Sequence, residues 1–532
     1  MKSTPLSLIA GAVALAAVTG FAALTAPGDQ NPAEAKTAVR LPVERSSLVC
    51  PAPSISDLAE TTYTSYTPAG QKGGEAGTAD LKAAADSSGD VEDDATTDED
   101  TKDDEATTDD KDDKDGKDDK KTDKSPPPAK AGAGAEKSVV ALKEPGKPVT
   151  AKGSGASSPA LVGTATGRLA PGWTAQQTTT VAAGASRGLL GVSCTGPDTD
   201  FWFPGASTTK NRQDYVHLTN PDDSAAVADI ELYGPGGSLK SDVGEGITVP
   251  ARSSVPVLIS TLTAEIVPDV TVHVTTRSGR VGAAIRTADE AAGSDWLAAS
   301  ADPAGTLVLP GIPADATSVR LVAFAPGDDD ADLKVRLLGK NGPISPVGND
   351  SLHVKSKMTA SIDLKDLTRG EPGSLLLTPN GRDTPVIAAL RVVRGTGAKQ
   401  EIAYIPATGP VGRQASVADN RATGSTLSLT APNATGTVKV TASAGSEGGA
   451  QVVKTYTVKA GTTIAVTPPV PSGLKGSYAL TVETESGGPV HAARTLAVPK
   501  DGIQMFTVQT LSDDGGTVEV PTAEQNLSVL EK

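Results

Sequence analysis

Aromatic residues are scarce in this chain: 532 residues contain 5 Phe, 7 Tyr and 3 Trp. That scarcity excludes a large aromatic core and points instead to small domains with thin aliphatic interiors. Only four histidines occur, His217, His273, His353 and His491, and none stands three to five residues from another histidine or a cysteine. A zinc site of the usual spacing is therefore not encoded, and no metal or other cofactor is expected. There is no phosphate-binding loop, no dinucleotide fingerprint and no Cys-x-x-Cys. Basic residues interleaved with aromatics are also missing, which removes support for nucleic-acid binding.

Charge is unevenly distributed. The formal net charge is −16, but residues 86–124 hold 19 acidic residues against 7 lysines, a net of −12, which leaves about −4 for the rest. The acidity belongs to one segment rather than to a global field. Residues 73–158 as a whole are rich in Asp, Lys, Thr, Gly, Ala and Pro, and are expected to be a disordered acidic and Pro/Gly/Ala linker insert, since such chain cannot bury enough apolar surface to offset its ordering entropy. The block is not an EF-hand. With Gly116 as the loop glycine, Lys111 falls on the first ligand position and Thr122 where a bidentate glutamate is required.

Long hydrophobic runs are absent except at the start. Leu6 to Ala26 is uncharged and follows Lys2; as a helix it would span about 31 Å, enough to cross a bilayer core. Residues 1–30 are accordingly read as a signal peptide or signal anchor, with everything after Ala26 extracytoplasmic, either membrane-anchored or secreted. The two cysteines, Cys50 and Cys194, are expected to form one disulfide, as suits an exported chain.

Gly (56) and Pro (39) are plentiful, and between them lie short alternating apolar runs. Self-comparison reveals three repeats. They open at His217, Arg320 and Leu427 and differ in start by 103 and 107 residues. Each closes on what reads as a β-hairpin: Val270 to Thr276 with Val281 to Arg286, Ser374 to Thr378 with Val386 to Arg391, and Tyr478 to Thr484 with Val490 to Arg494. Their second arms share Val-x-Ala-Ala followed by arginine. The paired small residues would let a neighbouring sheet approach closely, and Arg286, Arg391 and Arg494 read as salt-bridge or surface groups at strand ends. Six or seven short strands per hundred residues imply an all-β protein of serial immunoglobulin-like antiparallel β-sandwich domains. The boundaries are 37–72 with 159–300 for an N-terminal β domain including the first repeat, 301–400 for the second repeat, 401–512 for the third, and 513–532 for a tail. The stretch Ala288 to Ala301 reads as a short helix with Trp296 at a repeat junction. Trp202 and Phe203 read as core anchors.

One motif matches a catalytic pattern literally: Gly184-Ala-Ser186-Arg-Gly188 has the nucleophile-elbow spacing. That motif requires a strand before it and a helix after it, whereas a strand-like run follows here. No catalytic residue is assigned. Asp328 to Asp330 and Asp332 read as a solvated turn.

Ser-Leu-Val-Cys50-Pro, the later Cys194, Asp-Phe-Trp-Phe-Pro-Gly205 and Ser-Asp-Trp296 together resemble an actinobacterial family of exported, envelope-associated proteins of unknown function. The resemblance implies an N-terminal signal or anchor and an extracytoplasmic body, and it transfers no catalytic residue. The reading that follows is a non-catalytic binding or scaffold protein of the bacterial cell envelope, with a cell-wall polymer or envelope protein as partner and the membrane reached through the N-terminal helix. The alternative is a cell-wall-active hydrolase, or an enzyme accessory, whose site is not visible in sequence.

Overall fold

The computed structural model describes residues 39–70, 75–86 and 138–520. The expected helix Leu6 to Ala26 and most of the acidic block lie outside these. Among the described residues no helix is long and apolar enough to cross a membrane; they form strands, joined by turns and three short 3-10 segments.

Residues 43–516 form one compact unit. In a second unit, Val39–Pro42 pairs antiparallel with Thr517–Val520, and Arg40 binds Glu519.

The larger unit contains four two-sheet sandwiches, at residues 45–193, 200–297, 307–406 and 414–511. The last three correspond to the repeats. The first, with strands Arg45–Cys50, Ala59–Tyr66, Ala79–Ala83, Ser138–Leu142, Val149–Ser154, Leu161–Thr166, Thr174–Val181 and Gly188–Ser193, is a fourth copy of the same topology. In every copy one sheet orders its principal strands first, sixth, third, fourth, and the facing sheet fifth, second, seventh, eighth. Pairing within the sheets is antiparallel, apart from the two-residue strand Ala85–Asp86, which runs parallel to Ser253–Leu258 of the second sandwich.

This topology corrects four expectations. The linker interval 73–158 contains the third, fourth and fifth strands of the first sandwich. Leu81, Val140 and Leu142 supply its core residues, so its polar composition conceals strands with one buried face. The closing hairpins are not hairpins. Val270–Ser278 lies in the sheet with Asp200–Ala206, whereas Gly282–Asp289 lies in the facing sheet; the same holds for Gly373–Pro379 with Ile387–Arg394, and for Tyr478–Gly487 with His491–Ala497. Period-two alternation gives both arms an apolar face, whether the turn stays in one sheet or arches to the other. Finally, Gly293–Leu297 is a strand where a helix was expected. Likewise Glu401–Pro406 pairs with Ile387–Arg394, so it closes the sandwich that the boundary at 400 would have cut.

The copies are not strung out in series. The paired alanines explain how they meet. Ala283, Ala388 and Ala492 face their own cores, while Ala284, Ala389 and Ala493 pack into clusters shared with the preceding copy. Gly311 comes close to Ala493: a Cβ there would stand 2.8 Å from the alanine's. The fourth copy then returns to the first through Leu189 with Leu496 and Met505, and Tyr66 with Ala418 and Ala479. Such patches must be covered once exposed, and a chain with one on each copy closes on itself.

Cys50 and Cys194 form the expected disulfide, with a Cα–Cα distance of 4.5 Å, across 144 positions. It joins the first strand to the residue after the eighth, both within the core of the first sandwich.

Candidate functional site

The eighth strand is the outermost member of its sheet, with one unpaired edge. In this protein the four such strands come together: Gly188–Ser193 neighbours Gly293–Leu297 and Phe506–Leu511, and Glu401–Pro406 neighbours both Gly293–Leu297 and Phe506–Leu511. They surround a common axis, and polar groups fill it. The Asp295 carboxylate accepts from the Gly191 N–H at 3.0 Å and from the Thr507 hydroxyl at 3.0 Å, tying three copies together. Arg187, in the loop after Thr174–Val181, donates to Glu401 at 3.0 Å and so reaches the third copy. Burial pushes the Asp295 carboxyl well above the usual carboxylate range against the pull of its donors. Burial also lifts Glu401 to about 7, opposed by Arg187.

At one end the axis opens into a cleft of about 420 Å³. Register explains its lining. Trp296 pairs with Arg286 and Tyr404 with Arg391, so these two occupy equivalent positions, whereas Gln509, opposite the shifted Arg494, lies on the other face of its strand. All three line the cleft, and in the first copy Ser193, opposite Gln176, does so too. The segments joining one copy to the next form the rim, with Asp198, Asp302 and Thr408 among them, beside Asp200 at the start of its strand. A smaller recess of about 20 Å³ adjoins it, sharing Val192, Ser193, Thr195, Ala298 and Ala299, and carries His217.

Several buried polar atoms here have no partner. They include the Trp296 Nε1, the Gln509 Oε1, the Glu401 Oε2 and both ring nitrogens of His217. Burial, aided by the charge of Arg286, holds the His217 pKa well below its ordinary value, so the ring is neutral. Its neighbour Trp296 meets it edge-on at 5.2 Å.

The repeated arginines depart from expectation. Arg286 is 2 % exposed and Arg494 fully buried, and neither ends at the surface. Arg286 stacks over Tyr215 at 5.1 Å; Arg391 alone forms the expected salt bridge, to Asp289 of the preceding copy at 2.7 Å. In the fourth copy one residue is missing between the alanines and the arginine. That deletion turns Arg494 toward its own sandwich, where it lies opposite the core residue Leu427. Burial lowers both Arg286 and Arg494 to about 10.

Ser186 sits in the loop between the paired strands Thr174–Val181 and Gly188–Ser193, with no helix behind it. The four histidines stay apart. His217 occupies the recess. His273 stacks on Trp202 at 3.6 Å and contacts Glu231 and Asp200. His353 is exposed beside Asp330 and Asp332, and His491 bonds the Thr408 carbonyl. Phe203 is a core residue of the second sandwich, but Trp202 points to the other face, where it also approaches Phe324 of the third copy. Among the described residues no group of three His, Cys, Asp or Glu side chains is placed to hold a metal ion. A second groove, of about 320 Å³ between the first two copies, is lined by two ion pairs, Arg252 with Asp223 and Arg280 with Asp222, and by Arg45, Asp80 and Lys82.

These features define an all-β protein of repeated two-sheet sandwiches gathered around a polar axis. The chain belongs to DUF5719, a family of unknown function, which matches residues 149–469, more than half of its length. No curated protein and no solved structure matches it.

Proposed function

We propose that the protein is an exported, non-catalytic binding or scaffold protein of an actinobacterial cell envelope. In this reading the segment Leu6 to Ala26 is the signal or anchor, the sandwiches are immunoglobulin-like, and the partner is a wall polymer or an envelope protein. The Cys50–Cys194 disulfide is compatible with an extracytoplasmic location. The observation that carries the reading is the axial cleft. It is assembled from all four copies and held rigid by hydrogen bonds to Asp295 and from Arg187, and its walls offer hydroxyl, amide, carboxylate and aromatic groups. Such a surface suits recognition.

The test is co-sedimentation of the purified full chain with envelope polymer from the native host, with the supernatant analysed by mass spectrometry. Saturable binding without released fragments is expected. Absence of binding overturns the proposal, and release of soluble fragments replaces it with the hydrolase reading.

A further inference from the structure

The cleft carries an inference that rests on the binding reading and narrows it. Its volume of about 420 Å³ falls in the range of roughly 300–1,000 Å³ typical of small-ligand sites. No Lys, Arg or His lines it. A phosphate, sulfate or uronate would therefore meet three aspartates and no cation, a repulsive arrangement. Two of the three aspartates already have partners. Asp200 is engaged by His273, and Asp198 accepts the N–H of Thr199. What remains is a neutral ligand.

Two side chains give that ligand its chemistry. Trp296, 3 % exposed, presents an indole N–H, which can only donate; Gln509, 5 % exposed, presents a carbonyl oxygen, which can only accept. Neither has a partner, although a buried polar group left unpaired costs about 1–3 kcal/mol. Both residues line the cleft. A hydroxyl group donates and accepts at once, so a ligand bearing several of them satisfies both. Ser193 and Thr408 extend the same chemistry along the wall, and the recess beneath has room for a single small group beside neutral His217.

We propose that the axial cleft binds a neutral, hydroxyl-rich ligand: one or two sugar rings of an uncharged polysaccharide.

The experiment is saturation-transfer NMR and calorimetry on the full chain, with maltotetraose, cellotetraose and an arabinotetraose as neutral probes and trigalacturonate as the anionic comparator. At least one neutral probe should bind saturably, and trigalacturonate should not. Trp296→Phe keeps a ring against His217 and removes the donor; Gln509→Met keeps the length and removes the acceptor. Each should weaken binding at least fivefold. Thr195→Tyr, at an exposed rim position that lines both spaces, leaves the core untouched and should abolish binding if the mouth is the entrance. Saturation by no neutral probe, the result if the orphan groups hold only water, overturns the assignment. So does undiminished binding by folded Thr195→Tyr. Co-sedimentation with envelope polymer, run in parallel on the same proteins, reports separately on the wider reading.

Discussion

Arg187 and Glu401 link the first sandwich to the third. The Nε of the arginine donates to the Glu401 Oε1 at 3.0 Å, and its other nitrogens donate to the carbonyls of Ala398 and Gln400. The glutamate is buried, and its second oxygen has no partner. The bond therefore does not fully compensate the carboxylate for its lost water.

A pH dependence follows. Burial raises Glu401 from 4.5 to about 7, so between those values the folded protein holds a proton that the unfolded chain has released. Stability should fall as pH rises through that window and level off above it, by roughly 2–3 kcal/mol in total. Urea unfolding at pH 5 and pH 7.5 measures it, with Glu401→Gln as the reference that lacks the slope. Equal pH dependence in the two proteins would mean that Glu401 is ionised throughout.

The pair Arg212 and Asp214 should behave differently. Both are buried, the carboxylate accepts from the guanidinium at 2.6 and 3.0 Å, and Arg212 also reaches the Tyr404 hydroxyl at 2.9 Å. Arg212→Met strands a buried carboxylate and should cost about 3–5 kcal/mol, whereas adding Asp214→Asn should restore part of it. Denaturant titration of the single and double variants distinguishes them; equal losses would show that the charge itself is not the problem.

Gly205 and Gly311 occupy irregular positions in the first strands of the second and third sandwiches, both with positive φ, +113° and +92°. An added methyl at Gly311 meets Ala493 at 2.8 Å, while at Gly205 the nearest atom is 3.8 Å away. Backbone strain should cost both Gly→Ala variants about 1–2 kcal/mol. Gly311→Ala should lose a further 1–3 kcal/mol, roughly, through overpacking between copies. Thermal unfolding that ranks them the other way would contradict this packing.

Three of the four copies were legible because their strands align by eye. The first was not, for two physical reasons. Residues 87–137 separate its third strand from its fourth, so the strands flanking them were absorbed into a compositional linker. Its seventh strand also carries Ala175-Gln-Gln177 where the others carry paired alanines, and the repeat signature is lost there. Trp296 was expected at the junction with the following repeat, whereas it packs against the preceding sandwich; Tyr404 and Gln509 were not found. The equivalence of Tyr404 to Trp296 depends on register across loops of unequal length, 290–292 and 395–400, which no fixed spacing reveals. The recurrent Pro204-Gly205 and Pro310-Gly311 would have marked the start of two copies.

Two deletions separate insert from fold. Removing residues 88–136 with a short flexible bridge should leave the melting temperature nearly unchanged, because loop length enters stability only logarithmically. Removing 73–158 takes out Ala79–Ala83, Ser138–Leu142 and Val149–Ser154 and should abolish folding of the first sandwich. Calorimetry on both variants decides; a large loss in the shorter deletion would give the acidic block a structural role.

The meeting of Gly188–Ser193 with Phe506–Leu511 also imposes an order of assembly. The Asp295 carboxylate accepts from both the Gly191 N–H and the Thr507 hydroxyl, so the first sandwich cannot complete its surroundings until Phe506–Leu511 has emerged. Contacts of such separation form late. Until then Leu189 and the outer face of the first sandwich wait uncovered, and the interval between synthesis of the first copy and arrival of the last is when the protein is most exposed to aggregation and proteolysis.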